Sequence, residues 1–318
     1  MLRWFNSKKN KVPILLFHRV SNFYDPYTEP LSLNQFETII KFFNKRYTIR
    51  SIGESYDLDK KELINSCFIV FDDALYDFYN NAWPILENQN VPVTLFVPTE
   101  AVSSKKPYWS LRLISYFIMT DTHLFNIRIH GYDKIFSLVG DKKVKTFNII
   151  HDILMKSKDG NRMELLEDIK LKLNIRSSNS YFKMMNWHNL KTLLKKGLDI
   201  QSHTKSHGYL PVLNDNIMEN EFIDSKNQIE KKLKTSPIAV SYPYGGYNDN
   251  VIRNANKHYK YGFNTNNELL DLTQLEDDEG GKMVLSRINV TDKSPYELYF
   301  RINGFHSKIK SLFIRKIK

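Results

Sequence analysis

Two adjacent carboxylates, Asp72 and Asp73, follow directly on the apolar run Cys67–Phe71 (CFIVF). A charge at the end of a buried strand is costly to hide unless it is paired or bound to a cation. Far along the chain, His203 and His207 stand four apart in HTKSH, after the stretch Leu198–Ser202. Residues four apart share a face of a helical turn, so two imidazoles at this spacing can converge on one cation. One carboxylate and two imidazoles make a facial three-ligand set with open positions, suited to Zn2+ or another divalent transition metal. The second carboxylate is then free to act as a base. Each motif has a plainer reading when taken alone. Asp is a good N-cap for a helix starting near Tyr76, and one HxxxH among nine His is weak evidence. A third stretch, SYPYGG over Ser241–Gly246, reads as a strand running into a tight Pro/Gly turn. Beside a metal, such a turn can aim a backbone N–H at an oxyanion.

A frame for these residues is visible in the hydrophobic pattern. Val12–Phe17, Cys67–Phe71, Val93–Val97, Leu198–Ser202, Ile238–Tyr242 and Tyr261–Asn264 read as short buried strands. Between them, Leu33–Arg46, Tyr76–Gln89, Leu190–Lys196 and Met218–Leu233 read as helices; the first places Phe36, Ile39, Ile40 and Phe43 at helical spacing. Strands alternating with helices predict an α/β fold with a parallel sheet covered by helices. Chemistry in such folds collects at the C-terminal ends of strands. His18, Asp72, Asp73, His203, Pro243 and Tyr244 all fall there. Residues 101–184 break the rhythm with two mixed aromatic stretches, a His130-Gly131 pair suited to a hairpin turn, and a polar helical region around Met163–Leu173. They read as an insertion on the rim, the kind of segment that covers a catalytic face.

At 318 residues, 42% hydrophobic and 25% charged, the chain can bury a substantial core and is not disordered. The single Cys67 excludes an internal disulfide and favours a reducing compartment. The first residues lack an apolar region of signal-peptide length, and Val12–Phe17 is too short to span a membrane, so a cytoplasmic location is expected. The net charge of +11 favours an anionic partner. No nucleic-acid-binding motif accompanies it, so nucleic acid is not expected. In the tail, residues 293–318, Lys308, Lys310, Arg315, Lys316 and Lys318 lie among Phe305, Ile309, Leu312, Phe313 and Ile314. That pattern fits peripheral binding at an anionic inner-membrane surface, and equally an ordinary terminal helix docked on the fold.

The order FDDA, HTKSH, YPYG resembles the polysaccharide deacetylase family, carbohydrate esterase family 4, which includes the rhizobial chitooligosaccharide deacetylases. VPILLFHRV, VPVTLFVPTE, MNWHNLKTLLKKGLDIQSHTKSH and VLSRINVTD are similar to its other conserved stretches. The similarity covers about residues 11–100 and 185–292 and leaves out the insertion. It implies one domain built as a distorted (β/α)7 barrel. It implies that Asp73, His203 and His207 bind a metal, most readily Zn2+, and that Asp72 is the general base. It also implies that the Tyr244 N–H meets the oxyanion and that Trp187 walls an acetyl pocket, where the plainer reading is a core Trp at a helix start. Three positions depart from the pattern. Ala74 stands where Gly is usual, Ser241 where many members carry an Arg that orients the base, and Arg287 where many have the acid His. The acid is therefore open. His18, on the same face, is our candidate, against the blander reading of a core-edge histidine. Arg287 would steady Asp72, meet an anionic sugar group, or form a strand-end ion pair. Tyr108 and Trp109 would stack on sugar rings or pack the insertion onto the barrel. The expected function is metal-dependent N-deacetylation of an amino sugar in a surface polysaccharide or lipid-linked glycan. A deformylase of a lipid-linked sugar and a glycan-binding pseudoenzyme are the alternatives.

Overall fold

The computed structural model describes residues 10–55, 58–129, 132–157, 159–176, 180–277 and 280–303. Eight strands form one parallel sheet: β1 Ile14–Phe17, β2 Thr48–Arg50, β3 Ser66–Phe71, β4 Thr94–Val97, β5 Asp199–Ser202, β6 Ala239–Ser241, β7 Tyr261–Phe263 and β8 Ile288–Asn289. The order is β7-β6-β5-β4-β3-β1-β8, with β2 also paired to β3. Every residue of β1, β3 and β4 is buried, as expected for a parallel sheet covered on both faces. The sheet curls until its two ends approach. Leu285 exchanges backbone hydrogen bonds with β7, through Gly262 O and the Asn264 N–H, and Ile288–Asn289 then pairs with β1. This is the parallel sheet that the strand pattern predicts, curled into a half-barrel as the family resemblance implies.

Register places the chemistry. Phe17 pairs with Phe71, so His18 and Asp72 leave the sheet side by side. Val97 pairs with Ser202, and Ser202 with Val240, so His203 emerges beside Ser241. Pro13 interrupts the first expected strand. Lys11–Val12 instead pairs antiparallel with Leu270–Asp271, and β1 starts at Ile14. Beneath the rim, the rings of Phe17, Phe36 and Phe71 form a cluster with centroids 5.2–5.6 Å apart. Phe36 comes from the helix Leu33–Asn44, which starts in a capping box between Ser32 and Gln35 and turns Phe36, Ile39, Ile40 and Phe43 inward.

The segment expected as one helix over Tyr76–Gln89 is a π-helical turn, Phe78–Ala82, followed by an α-helix, Trp83–Asn88. Pro84 has no N–H to give, and the Trp83 N–H reaches back five residues to Phe78 O. The insertion consists of the helix Trp109–Met119, the hairpin Leu124–Ile129 with Tyr132–Ser137, and the helices Asp141–Lys156 and Asp159–Lys172. It carries its own hydrophobic cluster, including Phe117, Phe125, Ile150, Leu154 and Leu166. The expected turn residues His130 and Gly131 lie outside the described residues, as do the basic residues of the tail. The helix Pro295–Ile302 before them packs Tyr296 and Tyr299 against Phe42. Among the described residues, no helix is long and apolar enough to cross a membrane.

Gly262 in β7 marks a tight point. A methyl group there would run into the Tyr242 hydroxyl and come within 2.5 Å of Met283 O, and these two groups hydrogen-bond each other at 2.9 Å. Gly262→Ala is expected to lower stability by about 1–3 kcal/mol through overpacking. Thermal unfolding checks this; an unchanged midpoint would show that the contact yields freely.

Candidate metal centre

Two loops at the C-terminal rim build the site. In the first, Asp73 (φ 78°) and Ala74 (φ 52°) are both left-handed, which turns the chain back on itself. A side chain at that φ is disfavoured, which explains why the resemblance expects Gly where Ala74 stands. The loop is held by the strand end, Asp72 N–H to Phe17 O at 3.2 Å, and by the segment after the insertion. There the Met185 N–H donates to Ala74 O (2.9 Å) and the Tyr76 N–H to Lys183 O (2.8 Å).

The second loop, His203–His207, is not helical, contrary to the geometry its spacing suggested. Thr204 (φ 62°) and His207 (φ 60°) are left-handed. The backbone N–H groups of Lys205 and Ser206 are taken by Glu221 Oε2 at 3.0 and 2.8 Å, and the Ser206 hydroxyl by Glu221 Oε1 at 2.6 Å. The loop therefore hangs from a buried carboxylate on the helix Asp215–Leu233 instead of forming its own ladder. Sequence reasoning missed Glu221. Its signal was an acidic residue within the inward stripe of Met218, Phe222 and Ser225.

Asp73, His203 and His207 converge. The two Nε2 atoms are 3.1 Å apart, and Asp73 Oδ1 lies 3.3 Å from His207 Nε2 and 3.6 Å from His203 Nε2. Donors on a tetrahedral Zn2+ with bonds of about 2.0–2.1 Å stand roughly 3.3 Å apart, so the set fits such an ion. The other ring nitrogens fix the imidazoles. His203 Nδ1 meets Ser241 O at 2.8 Å, and a carbonyl only accepts, so Nδ1 carries the proton and Nε2 the free lone pair. His207 Nδ1 meets the Tyr244 hydroxyl at 3.2 Å, which in turn donates to Ser110 Oγ at 3.0 Å. Partners of this kind orient metal-ligating histidines.

Asp72 is gripped by Arg287, with Nη1 to Oδ1 at 2.8 Å and Nη2 to Oδ2 at 3.0 Å, and the Ser241 hydroxyl adds a bond of 3.0 Å to Oδ2. Arg287 is fully buried, and two further donors go to Ser241 Oγ (2.7 Å) and Asn264 O (3.0 Å). It is thus committed to Asp72 and not open to a substrate group. An arginine on β8's approach supplies Asp72 with the guanidinium that the motif position, now Ser241, no longer does.

The insertion closes over the ligands. The Tyr108 ring stacks on His207 with centroids 3.8 Å apart and a 17° tilt, and buried Trp109 lies 5.7 Å from the Tyr244 ring. Both residues pack the insertion onto the site. Trp187 is not brought to the ligands. Its indole N–H donates to Ser103 Oγ (3.0 Å) and its face packs on the barrel core, because it starts the helix Trp187–Leu194 on the outer layer. Pro243 is buried, and Tyr244 (φ 58°) forms the turn after β6. His18 is half-buried at the end of β1 and lies near enough to both aspartates to help keep them ionised.

Burial works against charge at this site, and the partners decide the outcome. Burial would raise the Asp72 carboxyl, but Arg287 and His203 pull it below the ordinary value. The two imidazole rings beside it hold Asp73 well below its ordinary value against the same penalty. Burial, with His203 beside it, pushes His207 down to about 4, so that ring is neutral, as a ligand requires. For His203 the two carboxylates outweigh burial and the shift is upward.

The scaffold is thus a curled parallel α/β sheet with acidic and imidazole side chains converging at its C-terminal rim. Residues 59–262 match the family model for polysaccharide deacetylase, well over half of the chain, and the chain belongs to that family of hydrolases. It is 20% identical over 268 residues to the Bacillus subtilis protein YxkH, provisionally named a polysaccharide deacetylase, covering 82% of this chain and 67% of the relative. The solved structure of Streptococcus pyogenes deacetylase PplD in complex with acetate shares the fold. Its TM-score is 0.60 at 20% identity, over 92% of this chain and 98% of that one. BC0361, a polysaccharide deacetylase from Bacillus cereus, gives 0.58 at 16% identity, over 92% and 68% respectively.

The Asp72–Arg287 pair has a pH signature. Asp72 titrates below its ordinary range in the folded protein, so the pair's stabilisation is complete above the unfolded value of about 3.9 and fades as pH falls through the folded one. Arg287→Met leaves a bare buried carboxylate, and a loss of about 3–5 kcal/mol is expected at pH 7. That loss shrinks towards pH 5, because the unpaired carboxyl titrates higher and sheds its charge. Urea unfolding at both pH values reads the gap. An equal gap at both would mean that Arg287 acts through packing alone.

Proposed function

We propose that the chain is a metal-dependent N-deacetylase that hydrolyses the acetamide of an N-acetylated amino sugar in a surface polysaccharide or lipid-linked glycan. The observation that carries this reading is the convergence of Asp73, His203 and His207, with the ionised carboxylate of Asp72 3.7 Å from His203 Nε2. Two imidazoles and a carboxylate suit a divalent cation, with Zn2+ the first candidate. When bound, such an ion supplies polarisation of the acetyl carbonyl and a more acidic water.

The chain's own residues do the rest. Asp72 accepts a proton from the attacking water; Arg287 and Ser241 fix its carboxylate without using all its lone pairs. The turn that sets Tyr244 against His207 offers the Tyr244 N–H to the developing oxyanion. The C–N bond breaks as the new C–O bond is retained, and the amine nitrogen takes a proton from His18. Acetate and a free amino sugar result. Tyr108, stacked on His207, keeps bulk water from the ligand face.

The first test is product analysis on N-acetylated oligosaccharides. Acetate release that stops on chelation and in Asp73→Ala supports the reading. Formate release from N-formyl sugars without acetate release would move the activity to deformylation. For His18, His18→Gln is expected to slow amide hydrolysis by about 10²–10⁴-fold. It should spare 4-nitrophenyl acetate, whose leaving group needs no proton. Equal losses on both substrates would remove His18 from the acid role.

A further inference from the structure

Charge is unevenly divided along the chain. The insertion, residues 101–184, holds 15 Lys and Arg against 8 Asp and Glu, and residues 293–318 hold 7 against 1. The remaining residues hold 24 against 26, so the barrel is close to neutral while the insertion alone carries a net +7. The hydrolytic step uses none of the insertion's charge.

The insertion also turns an apolar face to water. In its hairpin, Leu124–Ile129 pairs antiparallel with Tyr132–Ser137. Phe125, Ile127 and Phe136 are buried in the insertion's own core, whereas Leu124 and Ile135 are 65% and 64% exposed. Side chains alternate along a strand, so these two stand on the outer face. Leu124 pairs with Ser137, which puts Ile135 at the neighbouring diagonal position on that face. Val139, just past the strand, is 58% exposed. Aliphatic side chains held out together on a packed hairpin form a surface for an apolar partner.

Lysines border this face. Val139 O accepts the Lys142 N–H at 3.3 Å where the helix Asp141–Lys156 begins. Lys142 and Lys145 are exposed, and among the described residues neither finds an acidic partner. Lys143 beside them reaches Thr120 O at 3.1 Å. Cations at the start of a helix meet the positive end of its dipole and are disfavoured there. The helix gains nothing from these lysines, but an anionic surface outside it would.

We infer that the insertion docks on an anionic lipid bilayer, with Leu124, Ile135 and Val139 entering the interface and Lys142 and Lys145 meeting the headgroups. Shallow apolar insertion and attraction to anionic lipid together make peripheral membrane binding. A second copy of this chain suits the face poorly, because two insertions of like charge repel. Nucleic acid suits it no better, since stacking on bases needs aromatic rings and these side chains are aliphatic. The insertion also covers the metal centre through Tyr108 on His207, so docking through it holds that centre at the lipid surface. This narrows the substrate to a membrane-borne glycan, a step that rests on the deacetylase reading; the docking itself does not.

The probes are vesicles of phosphatidylcholine mixed with phosphatidylglycerol, and of phosphatidylcholine alone. The full chain is expected to sediment with the mixed vesicles, about 10-fold more tightly than with the neutral ones, and less so as salt rises. The double variants Leu124→Ser with Ile135→Ser, and Lys142→Ala with Lys145→Ala, should each weaken that binding about 10-fold. Both should leave 4-nitrophenyl acetate hydrolysis unchanged. A polarity-sensitive dye on Ile135→Cys should shift to the blue with mixed vesicles; Cys67, the chain's single cysteine, is buried and does not take the label. The same binding in a protein that releases no acetate would support the docking surface while removing the deacetylase reading. No binding to mixed vesicles, undiminished binding in both double variants, or an unmoved dye would overturn the proposal. So would a dimer that the Leu124→Ser, Ile135→Ser variant turns into a monomer with vesicle binding intact, which would make the face a contact between copies.

Discussion

Two carboxylates lie side by side with almost no contact with water: Asp72 is 3% and Asp73 6% exposed. Burying charge this way is strongly unfavourable unless each is answered by a partner. Much of the rim is organised around those answers. Asp72 receives a bidentate guanidinium and a hydroxyl, and Asp73 faces two imidazoles whose far nitrogens are fixed by Ser241 O and the Tyr244 hydroxyl. The division of labour between the two aspartates follows from these partners. The carboxylate bound to Arg287 keeps its charge, as the proposed role of base requires, and the one facing Nε2 atoms is placed to share a cation.

The barrel exists, in this sense, to bring partners from distant parts of the chain to one point. Arg287 and Asp72 are 215 positions apart and meet because the segment around Leu285 closes the sheet between β7 and β1. Gly262 and Asn264, on that closing edge, admit Met283 O and fix Arg287 Nε. Glu221 supports the histidine loop from the outer helical layer. The insertion adds Tyr108 over His207 and Ser110 behind Tyr244, so it is part of the centre's structure as well as its cover.

How much of this was legible in the sequence depended on the range of the interaction. Apolar runs with turn signals marked the strands, and the polar residues just after them marked the rim, because both are local patterns. The helices held where a capping residue and an apolar stripe agreed, as at Ser32 and Phe36–Phe43. Local rules failed where one backbone bond was missing or diverted. Pro84 shifted a helix into a π-turn, Pro13 shortened the first strand, and the left-handed Thr204 and His207 took HTKSH out of helical geometry. Long-range pairing was not legible. Arg287 was left with three readings in the sequence, and only the closure of the barrel chose Asp72. Trp187 had two readings, an acetyl-pocket wall from the resemblance and a core residue at a helix start, and the structure places it at the helix start with Ser103 and the core.

The central claim is that Asp73 Oδ1, His203 Nε2 and His207 Nε2 are held ready for one cation. X-ray absorption at the zinc edge, on protein reconstituted with Zn2+ and then dialysed, tests it most directly. The account predicts one ion per chain, with a first shell of two imidazole nitrogens and oxygens, and loss of the ion in His207→Ala. Protein that takes up no ion, or keeps it with an unchanged shell in His207→Ala, would contradict the claim.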